Sequence, residues 1–229
     1  MSETAVVTGA TGGIGGAVVS ALASNGYRVY AVGRAPDKLA ALQNGDVVAC
    51  AADLSRLDSL PDALADIEQV HALIHCAGLS EVATVADTPR ALWDETFAVN
   101  VSGPASLTRA LLPALRAAHG RIVFVNAAPG LRAVPKWSAY TASKAALREL
   151  ADSLREEERG HGLRVTTIYP GGVRTELLRK VRERLGVPYD AAVTVKPETL
   201  AALVLAVLRF PDDAEIMDVS LRAALPHAD

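Results

Sequence analysis

Ala5-Val6-Val7-Thr8-Gly9-Ala10-Thr11-Gly12-Gly13-Ile14-Gly15 is the stretch that decides the fold. A short apolar run with β-branched residues leads into a glycine cluster, and the cluster opens a helix-forming segment over 13–25. Glycine has no Cβ, so the backbone can turn tightly and come close to a ligand. The helix start that follows offers free N–H groups and a partial positive charge. Glycines placed between a first strand and a first helix cradle a pyrophosphate; without that context they would be an ordinary tight turn.

Outward from this unit the same alternation repeats. Apolar, β-branched runs predict strands over 5–8, 28–32, 47–51, 70–76, 121–126, 163–169 and 215–219. Between them, helices are predicted over 13–25, 36–43, 55–66, 103–118, 138–159, 175–185 and 197–208. Thr88 and Pro89 read as the N-cap and first turn of a further long helix that includes Trp93, and Ser138 reads as the N-cap of its own helix. Solidly apolar strands that alternate with helices build a parallel sheet covered on both faces. Right-handed crossovers then give an α/β, Rossmann-like, doubly wound parallel β-sheet. With no internal repeat or linker, residues 1–229 read as a single domain. Ligands of such sheets bind beyond the carboxyl ends of the strands, so the residues just after each strand are the ones that matter.

Composition agrees. The chain has 229 residues, 50% apolar and 21% charged, which is too apolar for a disordered protein and needs no metal or disulfide staple. A formal net charge of −3, without a Lys/Arg run, gives no reason to expect a nucleic-acid partner. The longest apolar run, Leu200 to Leu208, is too short to span a bilayer. No Cys/His cluster has metal spacing. Cys50 and Cys76 read as reduced, buried thiols, and the N-terminus lacks the features of a signal peptide. Together these predict a cytoplasmic protein without a membrane partner.

The glycine spacing is Gly-x-x-x-Gly-x-Gly. With Thr8 in front, the segment resembles the cofactor loop of the classical short-chain dehydrogenase/reductase family, and the resemblance runs from Thr8 to at least Thr175. It implies that Gly9, Thr11, Gly12, Gly13, Ile14 and Gly15 hold a nicotinamide dinucleotide. Arg34 follows the second strand, where an acid would accept from the ribose 2′-hydroxyl of NAD and an arginine would pair with the 2′-phosphate of NADP. NADP(H) is therefore favoured over NAD(H). The family's NADP-preferring members often carry a second basic residue in the glycine loop, and this loop has none. Asp53, followed by Leu54, matches an aspartate at the adenine and also reads as a turn residue before Ser55. His75-Cys76-Ala77-Gly78 stands where the family has Asn-Asn-Ala-Gly, which keeps the small pair Ala77-Gly78 for backbone approach. His75 reads as structural. Pro170-Gly171-Gly172-Val173-Arg174-Thr175 matches Pro-Gly-x-x-x-Thr, in which Val173 and Thr175 would face the nicotinamide carboxamide.

Tyr140-Thr141-Ala142-Ser143-Lys144 resembles the family's Tyr-x-x-x-Lys. Residues four apart share a helix face. A lysine cation near the tyrosine hydroxyl is expected to lower its pKa from about 10. Tyr140 would then be the general acid/base, with Lys144 tuning it and holding the nicotinamide ribose. Asn100 matches the asparagine of the family's proton path, although asparagine also suits a helix kink. One member departs. The family serine stands thirteen residues before the tyrosine, and here that position is Ala127, which has no donor. Asn126 is adjacent, but neighbours on a strand face opposite ways.

The resemblance implies an oxidoreductase that moves hydride between NADP(H) and a small-molecule carbonyl or secondary alcohol. It also implies a homodimer or homotetramer built through the helices over 103–118 and 138–159. Leu131, Val134, Pro135, Lys136 and Trp137 are expected at the substrate pocket, with a short lid over 176–196. The alternative is a cofactor-binding regulatory or assembly protein with little dehydrogenase activity, which would explain Ala127.

Overall fold

The structure, a computed structural model, describes residues 2–56, 61–128 and 133–224. Seven parallel strands form one sheet: β1 (Thr4–Thr8), β2 (Arg28–Gly33), β3 (Val47–Ala51), β4 (Ala72–His75), β5 (Arg121–Val125), β6 (Arg164–Pro170) and β7 (Asp218–Leu221), in the order β3-β2-β1-β4-β5-β6-β7. The chain starts at the centre, winds outward to β3, returns to β4 beside β1, and winds outward the other way. That reversal between β1 and β4 is the crevice where doubly wound sheets take their ligands. Register fixes it: Val7 pairs with Ile74 and Thr8 with His75.

Eight helices accompany the strands among the described residues: α1 (Gly13–Ala23), α2 (Pro36–Ala40), α3 (Asp62–Ala65), α4 (Arg90–Phe97), α5 (Gly103–Ala117), α6 (Ser138–Glu158), α7 (Glu176–Leu185) and α8 (Pro197–Leu208). The period-2 alternation of β1 splits the core in two. Ala5 and Val7 join the layer of Val18 and Leu22 from α1 and Val204 from α8. Val6 joins Leu107 and Leu111 of α5 and Leu147 and Leu154 of α6 on the other face. In α6 the buried side chains recur at helical spacing, Ser143, Leu147, Ala151 and Leu154 among them, and the same stripe carries Lys144 inward. Buried Arg155 donates to the carbonyls of Val165 at 2.8 Å and Met217 at 3.2 Å, and so ties α6 to the sheet edge.

Several boundaries differ from expectation. Pro89 takes the N-cap position of α4, because Thr88 turns its hydroxyl back to the Thr84 carbonyl at 2.5 Å. Trp137, and not Ser138, is the N-cap residue of α6, and it supplies no side-chain cap. The helix expected over 55–66 is a single 3₁₀ turn, Leu54–Arg56, and the four-residue α3; residues 57–60 lie outside the described part. The last strand begins at Asp218, three residues later than predicted, because Glu215 uses its carboxylate to accept the Val165 N–H. Between α4 and α5, Ala98–Ser102 forms a π-helical turn, a wider winding that places Asn100 in the interior.

Candidate active site

A groove of about 550 Å³ opens at the carboxyl ends of β1, β2 and β4. Gly9, Thr11, Gly12, Gly13, Ile14, Gly15, Arg34, Asp53, Leu54, Cys76, Ala77, Gly78 and Thr175 all line it, so thirteen separate sequence expectations meet in one place. Two glycines make that approach possible. Gly9 has φ +67°, and a Cβ on it would lie 2.8 Å from the Ala77 backbone. A Cβ on Gly15 would lie 2.2 Å from the Gly9 carbonyl oxygen. Helix α1 carries no side-chain cap, so its first N–H groups stay available to a ligand. Thr8 locks the crevice, its buried hydroxyl accepting the N–H groups of Cys76 and Ala77 at 3.2 Å each.

At the β2 end, Arg34 has company. Lys38, from α2, lines the same part of the groove. It stands four residues after Arg34, a spacing visible in the sequence, but only the short helix turns it to the same side. Asp53 accepts the Ser55 N–H at 2.9 Å and the Ser55 hydroxyl at 2.8 Å. Those bonds and the nearby Arg34 and Arg56 hold its carboxyl below the usual range. Its turn role is therefore real, and it still faces the groove.

A second cavity of about 350 Å³ adjoins the groove, and the two share Ile14, Thr175 and Leu177 as wall. Tyr140, Ala127, Asn126, Pro170, Gly171 and Val173 line this second space. Thr175 caps α7, accepting the Leu178 N–H at 3.2 Å, while its hydroxyl donates to the Val173 carbonyl at 3.3 Å. Of the loop residues expected at a pocket, Val134 and Trp137 are there. Pro135 and Lys136 are exposed instead, and Leu131 lies outside the described residues. Trp137 stacks on Tyr140, with ring centroids 4.6 Å apart, and donates its indole N–H to Ser80 Oγ at 2.8 Å. Sequence spacing did not reveal that contact.

Behind Tyr140 lies a buried polar network. Asn100 accepts the Leu79 N–H at 2.7 Å and donates to the Leu79 carbonyl and to Ser143 Oγ, each at 2.9 Å. Ser143 in turn donates to the Tyr140 carbonyl at 2.7 Å. Lys144 Nζ donates to the Val125 carbonyl at 3.1 Å and sits 5.9 Å from the Tyr140 ring centre. A Cβ added at Gly78 would meet both Asn100 Oδ1, at 3.6 Å, and Lys144 Nζ, at 3.8 Å, so both groups back directly onto the groove. Asn126, in the wall of the second cavity, donates from its amide to the Lys144 carbonyl at 3.1 Å and accepts the Ala127 N–H at 2.8 Å.

The electrostatics reverse one expectation. Burial pushes the Tyr140 hydroxyl up to about 12, and burial pulls Lys144 down to about 8. Desolvation is the dominant cause of both shifts and outweighs any help from the ammonium. His75 is buried, bonds Thr108 Oγ1 through Nε2 at 2.9 Å, and stacks on Phe124 at 4.8 Å. It faces neither cavity, in keeping with a structural role. Both cysteines are free thiols, and burial raises them, Cys50 to about 11 and Cys76 to about 12. No group of three or more potential metal ligands occurs among the described residues.

A sheet wound outward in both directions from a glycine crevice, with a Tyr-x-x-x-Lys helix beside it, defines a dinucleotide-binding oxidoreductase fold. The sequence model of the family described as short chain dehydrogenase matches residues 3–186, and the chain belongs to that family. A short-chain type dehydrogenase/reductase of Sinorhizobium fredii is 33% identical over 220 residues, covering 93% of this chain and 88% of the relative. An NADPH-dependent 1-acyldihydroxyacetone phosphate reductase of Saccharomyces cerevisiae is 35% identical over 191 residues, covering 77% of this chain and 63% of that one. Among solved structures, a metagenomic short-chain oxidoreductase in complex with NADP superposes with a TM-score of 0.79 at 30% identity, covering 97% of this chain and 98% of that chain. The family's members are oxidoreductases that act on alcohols or carbonyls, and their fold holds a nicotinamide cofactor. Among the described residues, no helix is long and apolar enough to cross a membrane.

Proposed function

We propose that this chain is an NADP(H)-dependent oxidoreductase that transfers hydride between the nicotinamide and a small carbonyl compound or secondary alcohol. The observation that carries the reading is the junction of the two cavities, with Tyr140 in the wall of the second and Lys144 directly behind. The groove suits a dinucleotide: glycine backbone at its middle, an uncapped helix start, and two cations, Arg34 and Lys38, at the adenosine end. Those two cations support NADP over NAD, since each can meet a 2′-phosphate. The yeast relative named as NADPH-dependent and the neighbour bound to NADP are consistent with this.

The loop Gly9 to Gly15 would hold the pyrophosphate, Asp53 and Leu54 the adenine side, and Lys144 the nicotinamide ribose hydroxyls. Val173 and Thr175 would meet the carboxamide. When bound, the cofactor supplies or accepts the hydride. Tyr140 hands its proton to the carbonyl oxygen as hydride arrives at the carbon, or takes one back from the alcohol in reverse. Asn100 and Lys144 would belong to the path that refills that proton. Ala127 offers no hydroxyl, and the loss of one such donor slows acyl-type chemistry by about 100- to 1,000-fold. Residues 176–196 form a short lid in this reading. Leu177 and Val187, which line the second cavity yet remain about half exposed, fit a pocket left largely open. Assembly into a homodimer or homotetramer and a cytoplasmic location belong to the same proposal.

NADPH binding followed by fluorescence, then turnover on a panel of ketones and aldehydes with NADPH and NADH, tests it. We expect turnover with NADPH preferred, and Arg34→Glu/Lys38→Glu should erase the preference. Ala127 favours one rival, a regulatory or assembly protein that binds cofactor without catalysis. Tight NADPH binding with no turnover on any substrate would establish that rival.

A further inference from the structure

We infer that Ser80 is the hydroxyl that donates to the substrate carbonyl oxygen, in the role that Ala127 cannot fill. The inference rests on the oxidoreductase reading above. Ser80 is only 4% exposed, yet it lines the second cavity together with Ala127 and Tyr140. A buried hydroxyl at such a place needs its hydrogen bonds accounted for. One of them is fixed by chemistry. The Trp137 indole can only donate, so in the 2.8 Å contact Ser80 Oγ is the acceptor. The serine proton therefore points elsewhere, and among the described residues it meets no acceptor. A hydroxyl that accepts one hydrogen bond becomes a stronger donor for the next.

The same indole arranges both partners of a carbonyl. Its ring lies on Tyr140 at 17° between planes, while its N–H holds the Ser80 oxygen. Tyr140 and Ser80 are thus clamped on one side chain and open on one cavity, as two hydrogen-bond donors to a single oxygen require. The rival donors are tied to the backbone. The Asn126 amide is anchored through one N–H to the Lys144 carbonyl and through its oxygen to the Ala127 N–H, and the Thr175 hydroxyl gives its proton to the Val173 carbonyl. Ser143 donates to Tyr140 and is not in the cavity wall. Ser138 has a buried hydroxyl without a partner among the described residues, but it does not line the cavity.

The test uses the full chain with NADPH and a ketone that the wild type reduces. Ser80→Ala should lower kcat/KM for the ketone by about 100- to 1,000-fold, the usual cost of one such donor. NADPH affinity by fluorescence should stay within about threefold, because Ser80 is not part of the cofactor groove. Ser80→Thr, which keeps a hydroxyl, should hold most of the rate. Ala127→Ser placed in the Ser80→Ala background should restore at least about tenfold, because a second hydroxyl then reaches the same oxygen. Retention of kcat/KM within threefold in Ser80→Ala overturns the inference while leaving the oxidoreductase reading intact. A parallel loss of NADPH affinity and rate, unrescued by Ser80→Thr or Ala127→Ser, marks Ser80 as structural and overturns it too. A wild type that binds NADPH but reduces no carbonyl removes both the reading and the inference.

Discussion

His75 lies buried in the β4–α5 layer, where its titration can report on how dry that layer is. It is 2% exposed, has one hydrogen bond, to Thr108, and leaves Nδ1 without a partner among the described residues. Burial, and then the positive charge of Lys144, pull it from 6.5 down to about 3. The folded chain therefore refuses a proton that the unfolded chain takes up below about pH 6.5. Its contribution to stability is fully present above pH 6.5 and is lost as pH falls toward 3, at about 1.4 kcal/mol per unit. At pH 5, about 1.5 units below the unfolded value, the loss comes to about 2 kcal/mol. Urea unfolding followed by tryptophan fluorescence at pH 7 and pH 5 measures it, comparing the wild type with His75→Asn. The variant loses the stack on Phe124 and is less stable at both pH values, so the quantity to compare is the difference between them. That difference should be smaller in the variant by about 2 kcal/mol. An equal pH loss in both proteins would refute a neutral, buried His75 in the native state.

Two further outcomes follow from packing. Gly15→Ala forces a methyl to within 2.2 Å of the Gly9 carbonyl oxygen, so we expect about 1–3 kcal/mol of destabilisation and at least tenfold weaker NADPH binding, whereas Gly160→Ala, with open space around it, should change neither. Arg155→Met takes the side-chain donor from the Val165 carbonyl and one of two donors from the Met217 carbonyl, which keeps the Thr167 N–H, and thermal or urea unfolding should show a loss of about 1–3 kcal/mol without a change in NADPH affinity.

What the sequence disclosed was what is local. The glycine loop, Arg34, Asp53, Ala77-Gly78 and Thr175 each follow a strand, and topology alone brings strand ends together, so their meeting in one groove could be foreseen. Tyr140 and Lys144 share a helix face by spacing, and they share it in the structure. What stayed hidden depends on contacts between distant segments. Lys38 joins Arg34 only because α2 is a single short turn of helix. Ser80 meets Trp137 across 57 residues, and no periodicity announces such a bond. Strand alternation turns Asn126 away from the side of Ala127, yet β5 ends at Val125, both residues line the second cavity, and the Asn126 bond to the Lys144 carbonyl, eighteen residues on, has no periodicity behind it. Burial was the main omission. Spacing placed a cation near a tyrosine; it did not say that the lysine would be buried and the tyrosine largely so.

That burial bears on how the pair works. Burial drives Tyr140 and Lys144 toward their neutral forms, the tyrosine up to about 12 and the lysine down to about 8. At pH 7 the free chain therefore holds a protonated tyrosine, ready to give its proton to a carbonyl, and a lysine close to losing its charge. The lysine is the group of the pair whose charge changes nearest neutrality: as pH rises through about 8 the ammonium becomes an amine, and the charge behind the groove disappears. NADPH binding by fluorescence should accordingly weaken above pH about 8, more than two units below a free lysine. Lys144→Met, with nothing to titrate, should bind more weakly at pH 7 but show no such step. A step at the same pH in Lys144→Met would assign it to another group. A wild-type affinity that stays level to pH 10 would mean that Lys144 is far better solvated than its place behind Gly78 implies.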